Sequence, residues 1–194
     1  MSGRFIVIEG PDGCGKTTQT ERLVATLQAE GRDVVSTFEN TPGPAGALIT
    51  QLLTEHRVMH PAAMQLLYTA DRADHVETVI KPALAAGKTV VSSRYRHSSI
   101  VYARALGIDH RWIQKANEPF PMPDATIVLL PPLEICLELI RKRKAADAYE
   151  KAADLQQRVH DAYRELAAED PTMTILDSWG SVDEIAVQVR ALVG

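Results

Sequence analysis

Phe5-Ile6-Val7-Ile8-Glu9-Gly10-Pro11-Asp12-Gly13-Cys14-Gly15-Lys16-Thr17-Thr18 decides the reading of this 194-residue chain. Its first four residues are continuously apolar, as in a strand covered on both faces. Gly10 to Thr17 then spells Gly-x4-Gly-Lys-Thr. Glycines so spaced let successive backbone N–H groups turn inward around phosphate oxygens, and the helix that follows points its positive end at the anion. In this pattern Lys16 neutralises the β- and γ-phosphates and the Thr17 hydroxyl ligates Mg²⁺. Gly10, Pro11, Asp12, Gly13, Cys14, Gly15, Lys16, Thr17 and Thr18 are therefore expected to cradle a nucleoside triphosphate.

Working outward, further β-rich runs occur at Val34–Phe38, Thr89–Ser92 and Thr126–Leu130, with a weaker one at Met173–Leu176. Helical patterns separate them. Lys16–Glu30 ends at Gly31, a C-cap position, and Pro61 can open a helix running through Ala70. Others are expected over His75–Ala86, Ser98–Leu106, Leu133–Lys142, Leu155–Ala168 and Val182–Val193, with a short one capped by Asp109. Strands alternating with helices predict a three-layer, doubly wound α/β fold around a five-stranded parallel sheet.

Hydrophobic residues are 45% and charged residues 24%, which excludes a wholly disordered chain, a collagen-like repeat and a disulfide-stapled miniprotein. A formal charge of -4 argues against a nucleic-acid-coating protein. Cys14 and Cys136 lack CxxC spacing, so neither zinc nor a disulfide is indicated, and unpaired thiols fit a reducing compartment. No run approaches the roughly 18–20 apolar residues of a membrane span, and the N-terminus lacks the apolar core of a signal peptide. A cytoplasmic protein with no membrane partner is expected.

The motif alone leaves several kinds of phosphate-loop protein open. A regulatory GTPase would carry an Asn-Lys-x-Asp base reader, and a motor would show a strand ending in Asp-Glu. Neither is present, and Thr126–Leu130 runs into Pro131-Pro132. What remains is a small kinase that moves a γ-phosphoryl group onto an acceptor held over the sheet.

Three stretches together resemble the thymidylate kinase family, and the likeness covers essentially the whole chain. They are the opening strand and phosphate loop, Leu66-Leu67-Tyr68-Thr69-Ala70-Asp71-Arg72-Ala73-Asp74-His75, and Ile80–Lys88 leading to Ser93-Arg94-Tyr95. The resemblance implies a nucleoside-monophosphate-kinase fold with ATP and dTMP as substrates, Mg²⁺ as cofactor and a homodimer.

The chemistry can also be argued directly. Tyr68 and Arg72 are four apart, hence on one helical face, and can supply a stacking ring and a donor to a base carbonyl; a core-edge pair is the alternative. Arg94 follows a buried strand at the edge where ligands of open α/β sheets collect, and can take an acceptor phosphate bidentately, or serve a structural ion pair. By resemblance Asp12 holds the sugar hydroxyl, Ser99 and Tyr102 face the nucleotide, and Phe38 and Glu39 border it. Arg141-Lys142-Arg143-Lys144 is either a solvated helix cap or part of a lid at about 141–152. In the second case Arg141 or Arg143 would reach the transferring phosphoryl, since Gly13 leaves the phosphate loop without an arginine. Tyr149 and Gln156 then look like the lid's return onto the sugar. Asp177–Ser181 falls where the family holds adenine.

The chain departs from the family pattern in four places. Ser93 stands where an Asp is usual, leaving Glu9 or Glu39 as candidates to help organise Mg²⁺. Phe38 replaces an Arg, Ala103 replaces a Gln that bonds the pyrimidine edge, and the lid lacks its usual Asp-Arg. These keep two alternatives open: a kinase for dUMP or a modified pyrimidine nucleotide, and a nucleotide-binding paralogue without turnover.

Overall fold

A computed structural model describes the backbone of residues 3–57, 59–141 and 146–194, and their side chains except those of 146–152. The element order is β1 (Arg4–Glu9), α1 (Lys16–Ala29), β2 (Val34–Phe38), α2 (Pro44–Thr54), α3 (Pro61–His75), α4 (Lys81–Ala85), β3 (Thr89–Ser93), α5 (Arg96–Ala105), α6 (His110–Ala116), β4 (Ala125–Leu129), α7 (Leu133–Arg141), α8 (Ala146–Glu169), β5 (Met173–Leu176) and α9 (Val182–Leu192). One parallel sheet is formed, in the order β2-β3-β1-β4-β5. The predicted three-layer α/β architecture is what the chain adopts.

The period-2 geometry of strands builds both cores. In β1, Ile6 and Ile8 pack with Leu23 and Leu27 of α1 and Val189 of α9. The alternate residues Phe5 and Val7 face Val76, Ile80 and Ala83 on the other side. Likewise Ile127 and Leu129 of β4 join the first core, while Val128 packs with α5 and with Val159, Tyr163 and Leu166 of α8. Each such buried aliphatic contributes about 1.5–3 kcal/mol. With both faces covered, the central strands read as apolar runs.

All five strands lie within a residue of their expected bounds, and β2 and β5 match them. The helices differ more. α2 was not expected, because Pro42-Gly43-Pro44 reads as loop; Pro44 instead sits in the first turn, where its missing N–H costs nothing. Gly46 inside α2 is dictated by contact, since a Cβ there would lie 2.1 Å from the Thr41 carbonyl oxygen. Residues 61–85 form one helical stretch with a π turn at Val76–Ile80 rather than two helices. Pro82, which has no N–H and crowds the preceding turn, follows directly on that widened turn. α5 begins at Arg96, two residues earlier than expected, and α8 at Ala146 rather than Leu155.

A polar clamp joins α5 to the residue just past the end of α8. His97, 1% exposed, meets Asp170 Oδ2 at 3.3 Å, and Asp170 also accepts from the Thr172 amide at 2.9 Å and hydroxyl at 2.6 Å. The His97 contact, then the Thr172 donors, hold the Asp170 carboxyl well below the usual range. A depressed folded-state pKa adds stability that is complete above the unfolded value and lost as pH falls towards the folded one. Asp170→Asn should therefore lower stability at neutral pH by about 1 kcal/mol. The gap from the parent protein should close in melts run below the carboxylate range; a gap that persists there would assign the effect to packing.

Candidate active site

The phosphate loop, the start of α1, the end of β2 and the turn after β3 meet at the C-terminal edge of the sheet, around a cleft of about 930 Å³. One wall is the phosphate loop. Gly10, Gly13 and Gly15 have φ of 144°, 81° and 89°, values that favour glycine, and α1 starts at Lys16 with Gly15 as its N-cap. Such a start leaves first-turn amides without intrahelical acceptors. Lys16 folds over the loop and donates to the carbonyls of Gly10 (2.9 Å) and Pro11 (2.7 Å). Burial, and then the Arg94 charge, lower its pKa. Thr17 and Thr18 are exposed in the first turn, and both line the cleft.

Gly13 has a steric reason to lack a side chain. A Cβ there would stand 2.7 Å from the Cys136 carbonyl oxygen of α7. An arginine at this place would need α7 to retreat.

Arg94 forms the opposite wall. It stands one residue past β3 with φ 68°, a left-handed conformation rare outside glycine, and its amide bonds the Ile8 carbonyl at 2.9 Å. Its side chain crosses to the phosphate loop. Nη1 donates to Ser98 Oγ (3.0 Å) and the Gly10 carbonyl (3.4 Å), Nη2 donates to Asp12, and the guanidinium lies 5.6 Å from the Tyr102 ring centroid. Gln156 of α8 completes the group, accepting from the Asp12 amide at 3.0 Å. Lys16, Asp12, Arg94, Tyr102 and Gln156 are thus brought together around the phosphate loop. Burial pushes the Tyr102 hydroxyl up to about 12.

Tyr68 and Arg72 lie on α3, and Arg72 is tied to Glu39 of the cleft wall. Arg72 is 1% exposed. Nε and Nη2 grip Glu39 at 3.2 and 2.5 Å, and Nη1 donates to Ser99 Oγ (3.1 Å) and Asn117 Oδ1 (2.6 Å). The planar fork is thereby fixed in one orientation, with four of its five N–H groups committed. Glu39 is also 3.3 Å from His75 Nδ1, whose other nitrogen meets Thr37 Oγ1 at 2.6 Å. Next to it, Asp71 accepts from the Thr41 amide at 2.9 Å and hydroxyl at 2.5 Å. Two adjacent residues of α3 therefore hold the loop after β2. Tyr68 is half-buried, and burial raises its hydroxyl pKa. Phe38, 55% exposed, lines the cleft mouth.

The two carboxylates considered for Mg²⁺ have other partners. Glu9 is fully buried; Oε1 accepts from the Tyr95 (2.9 Å) and Ser98 (3.1 Å) amides, and Oε2 from Ser98 Oγ (2.6 Å) and Tyr163 Oη (2.8 Å). Glu39 is held by Arg72 and His75. Ser93 lines the cleft beside Arg94. Arg141 ends α7 and is exposed, whereas Arg143 and the Tyr149 side chain lie outside the described residues. Asp177–Ser181 links β5 to α9, with Trp179 65% exposed.

Sequence reasoning passed over Ser98, Asn117, His75 and Tyr163. The four-residue spacing of Ser98 from Arg94 was a usable signal. Nothing local marks Asn117 or Tyr163, which reach the site only through the packing of α6 and α8.

Comparison with known proteins gives the same assignment. The Thymidylate kinase family model matches residues 8–189. A "Probable thymidylate kinase" of Pyrococcus horikoshii is 38% identical, the match covering 100% of this chain and 97% of that protein. "Thymidylate kinase" proteins of Bifidobacterium longum and Desulfotalea psychrophila are 39% and 34% identical, with 98% of this chain and 97% and 96% of theirs covered. With its phosphate loop, Arg94 grip and α3 pair on one sheet edge, the chain belongs to the thymidylate kinase family.

Proposed function

We propose that this protein transfers the γ-phosphoryl group of ATP to dTMP, giving ADP and dTDP. The observation that carries the reading is the convergence of Lys16 and Arg94 on one cleft, in a chain of this family. A phosphate oxygen of dTMP forms a new bond to the γ-phosphorus while the bond from that phosphorus to the β,γ-bridging oxygen breaks. The protein has little covalent work to do, so positioning and charge neutralisation carry the rate.

Lys16 exchanges its loop carbonyls for the β- and γ-phosphate oxygens. Arg94 releases Asp12 to take the acceptor phosphate, and Asp12 turns to the sugar hydroxyl. Tyr68 covers the base, Arg72 presents its remaining N–H towards a base carbonyl, and Ser99 fixes that guanidinium. Residues 1–194 act as one domain with a lid at about 141–152 that supplies Arg141 or Arg143. Closure excludes the water that would otherwise take the phosphoryl group.

The donor set fits Mg²⁺, a hard cation that takes oxygen ligands and retains waters. Exposed Thr17 lines the cleft and brings a hydroxyl, with Ser93 as a second neutral oxygen source. Bound there with the nucleotide, Mg²⁺ would supply charge neutralisation at the phosphates.

Leu48, Leu53 and Leu66 on α2 and α3 are exposed, which supports a homodimer through these helices. Among the described residues no helix is long and apolar enough to cross a membrane. A cytoplasmic protein without nucleic-acid or membrane partners remains our reading.

The test is ADP release with dTMP, dUMP, dCMP, dGMP and dAMP in parallel. We expect dTMP to exceed dCMP by at least roughly 100-fold in kcat/KM, because a fixed donor leaves an amino group unpaired. Equal use of both would remove Arg72 from base reading.

A further inference from the structure

We infer that Tyr163 and Glu9, through Ser98, form a positioning brace that sets the direction of the Arg94 guanidinium and so the affinity for the acceptor phosphate. The inference rests on the proposed role of Arg94.

The chain of contacts is complete and buried. Tyr163 Oη, on α8, donates to Glu9 Oε2 at 2.8 Å, and Ser98 Oγ donates to the same oxygen at 2.6 Å. The Ser98 hydroxyl has one proton and gives it to Glu9, so its lone pairs face outward. One of them accepts Arg94 Nη1–H at 3.0 Å. The Tyr163 oxygen is 3.2 Å from Ser98 Oγ and closes the triangle. Tyr163 is 0% exposed, Glu9 0% and Ser98 9%, so water does not substitute readily for a lost partner.

Glu9 belongs to the end of β1, Ser98 to α5 and Tyr163 to α8, so three separate elements fix one guanidinium. Arg94 needs such fixing, because its φ of 68° is held only by its surroundings. Two turns earlier on α8, Gln156 touches Asp12 in the phosphate loop. One helix thus sets the acceptor grip and touches the donor loop. A purely structural Tyr163 would affect stability; a brace affects the acceptor side specifically.

The experiment measures dTMP binding by calorimetry, and KM for dTMP and ATP, for the parent protein, Arg94→Met, Tyr163→Phe, Ser98→Ala and the Tyr163→Phe/Ser98→Ala double variant. Melts of each check folding. Tyr163→Phe and Ser98→Ala should each weaken dTMP binding roughly 5- to 10-fold, with KM for ATP within about twofold. The double variant should be no more than about twofold worse than either single change, because both disable one device. Weakening by Arg94→Met with none by Tyr163→Phe and Ser98→Ala overturns the brace alone. Losses that multiply in the double variant, or that fall equally on ATP, overturn it too. Unchanged dTMP binding by Arg94→Met overturns the acceptor reading, and the brace with it.

Discussion

Lys16→Met should fold normally and lose roughly 10³-fold in kcat, the scale of removing a preorganised charge from a developing anion. The aliphatic stem is retained, so packing changes little. What goes is the ammonium that now donates to the Gly10 and Pro11 carbonyls. Those contacts hold Nζ over the loop before any phosphate arrives, and little reorganisation is needed when it does. Burial lowers the pKa of Lys16, and the proximity of Arg94 adds to this. An anionic triphosphate reverses that balance, so binding should favour the charged form. Single-turnover phosphoryl transfer is the measurement. A variant within tenfold of the parent protein would take Lys16 out of the mechanism.

Arg94→Met should lose roughly 10²- to 10³-fold in kcat/KM for dTMP while ATP binding stays near normal. Arg94→Lys should recover only part of this, because an ammonium keeps the charge but not the two-pronged fork. The asymmetry between the substrates is the informative readout. Arg94 pairs with Asp12, which sits in the phosphate loop itself. If that ion pair were its whole role, both variants would harm ATP and dTMP alike. The left-handed backbone at Arg94 points the same way, since such strain persists where surroundings over-determine it and clusters at binding sites.

The local signals in the chain were strong at the sheet and weak at the helices. β1 and β4 are apolar on both faces because helices cover both, and runs of that kind are hard to misread. α2 was hidden because its opening Pro-Gly-Pro has the composition of a turn, and only the close approach of Thr41 and Asp71 explains Gly46. The π turn before Pro82 has no one-dimensional signature. For the site, the glycines and Lys16 were legible because their neighbours in sequence are also their neighbours in space. The partners of Glu9 and Glu39 were not legible because they lie 86 or more and 33 or more residues away.

By itself, the order of residues determined the phosphate cradle, the parallel α/β layering and the four-residue spacing of Tyr68 and Arg72. These depend on local backbone geometry and on periodicity, which a linear string records. Tertiary structure alone decided which charges are spoken for. Arg72 is fixed by Glu39, Ser99 and Asn117, Glu9 by donors on α5 and α8, and Gly13 by the Cys136 carbonyl of α7. A buried polar group must find a partner wherever the packing brings one, and that choice is made by elements remote in sequence.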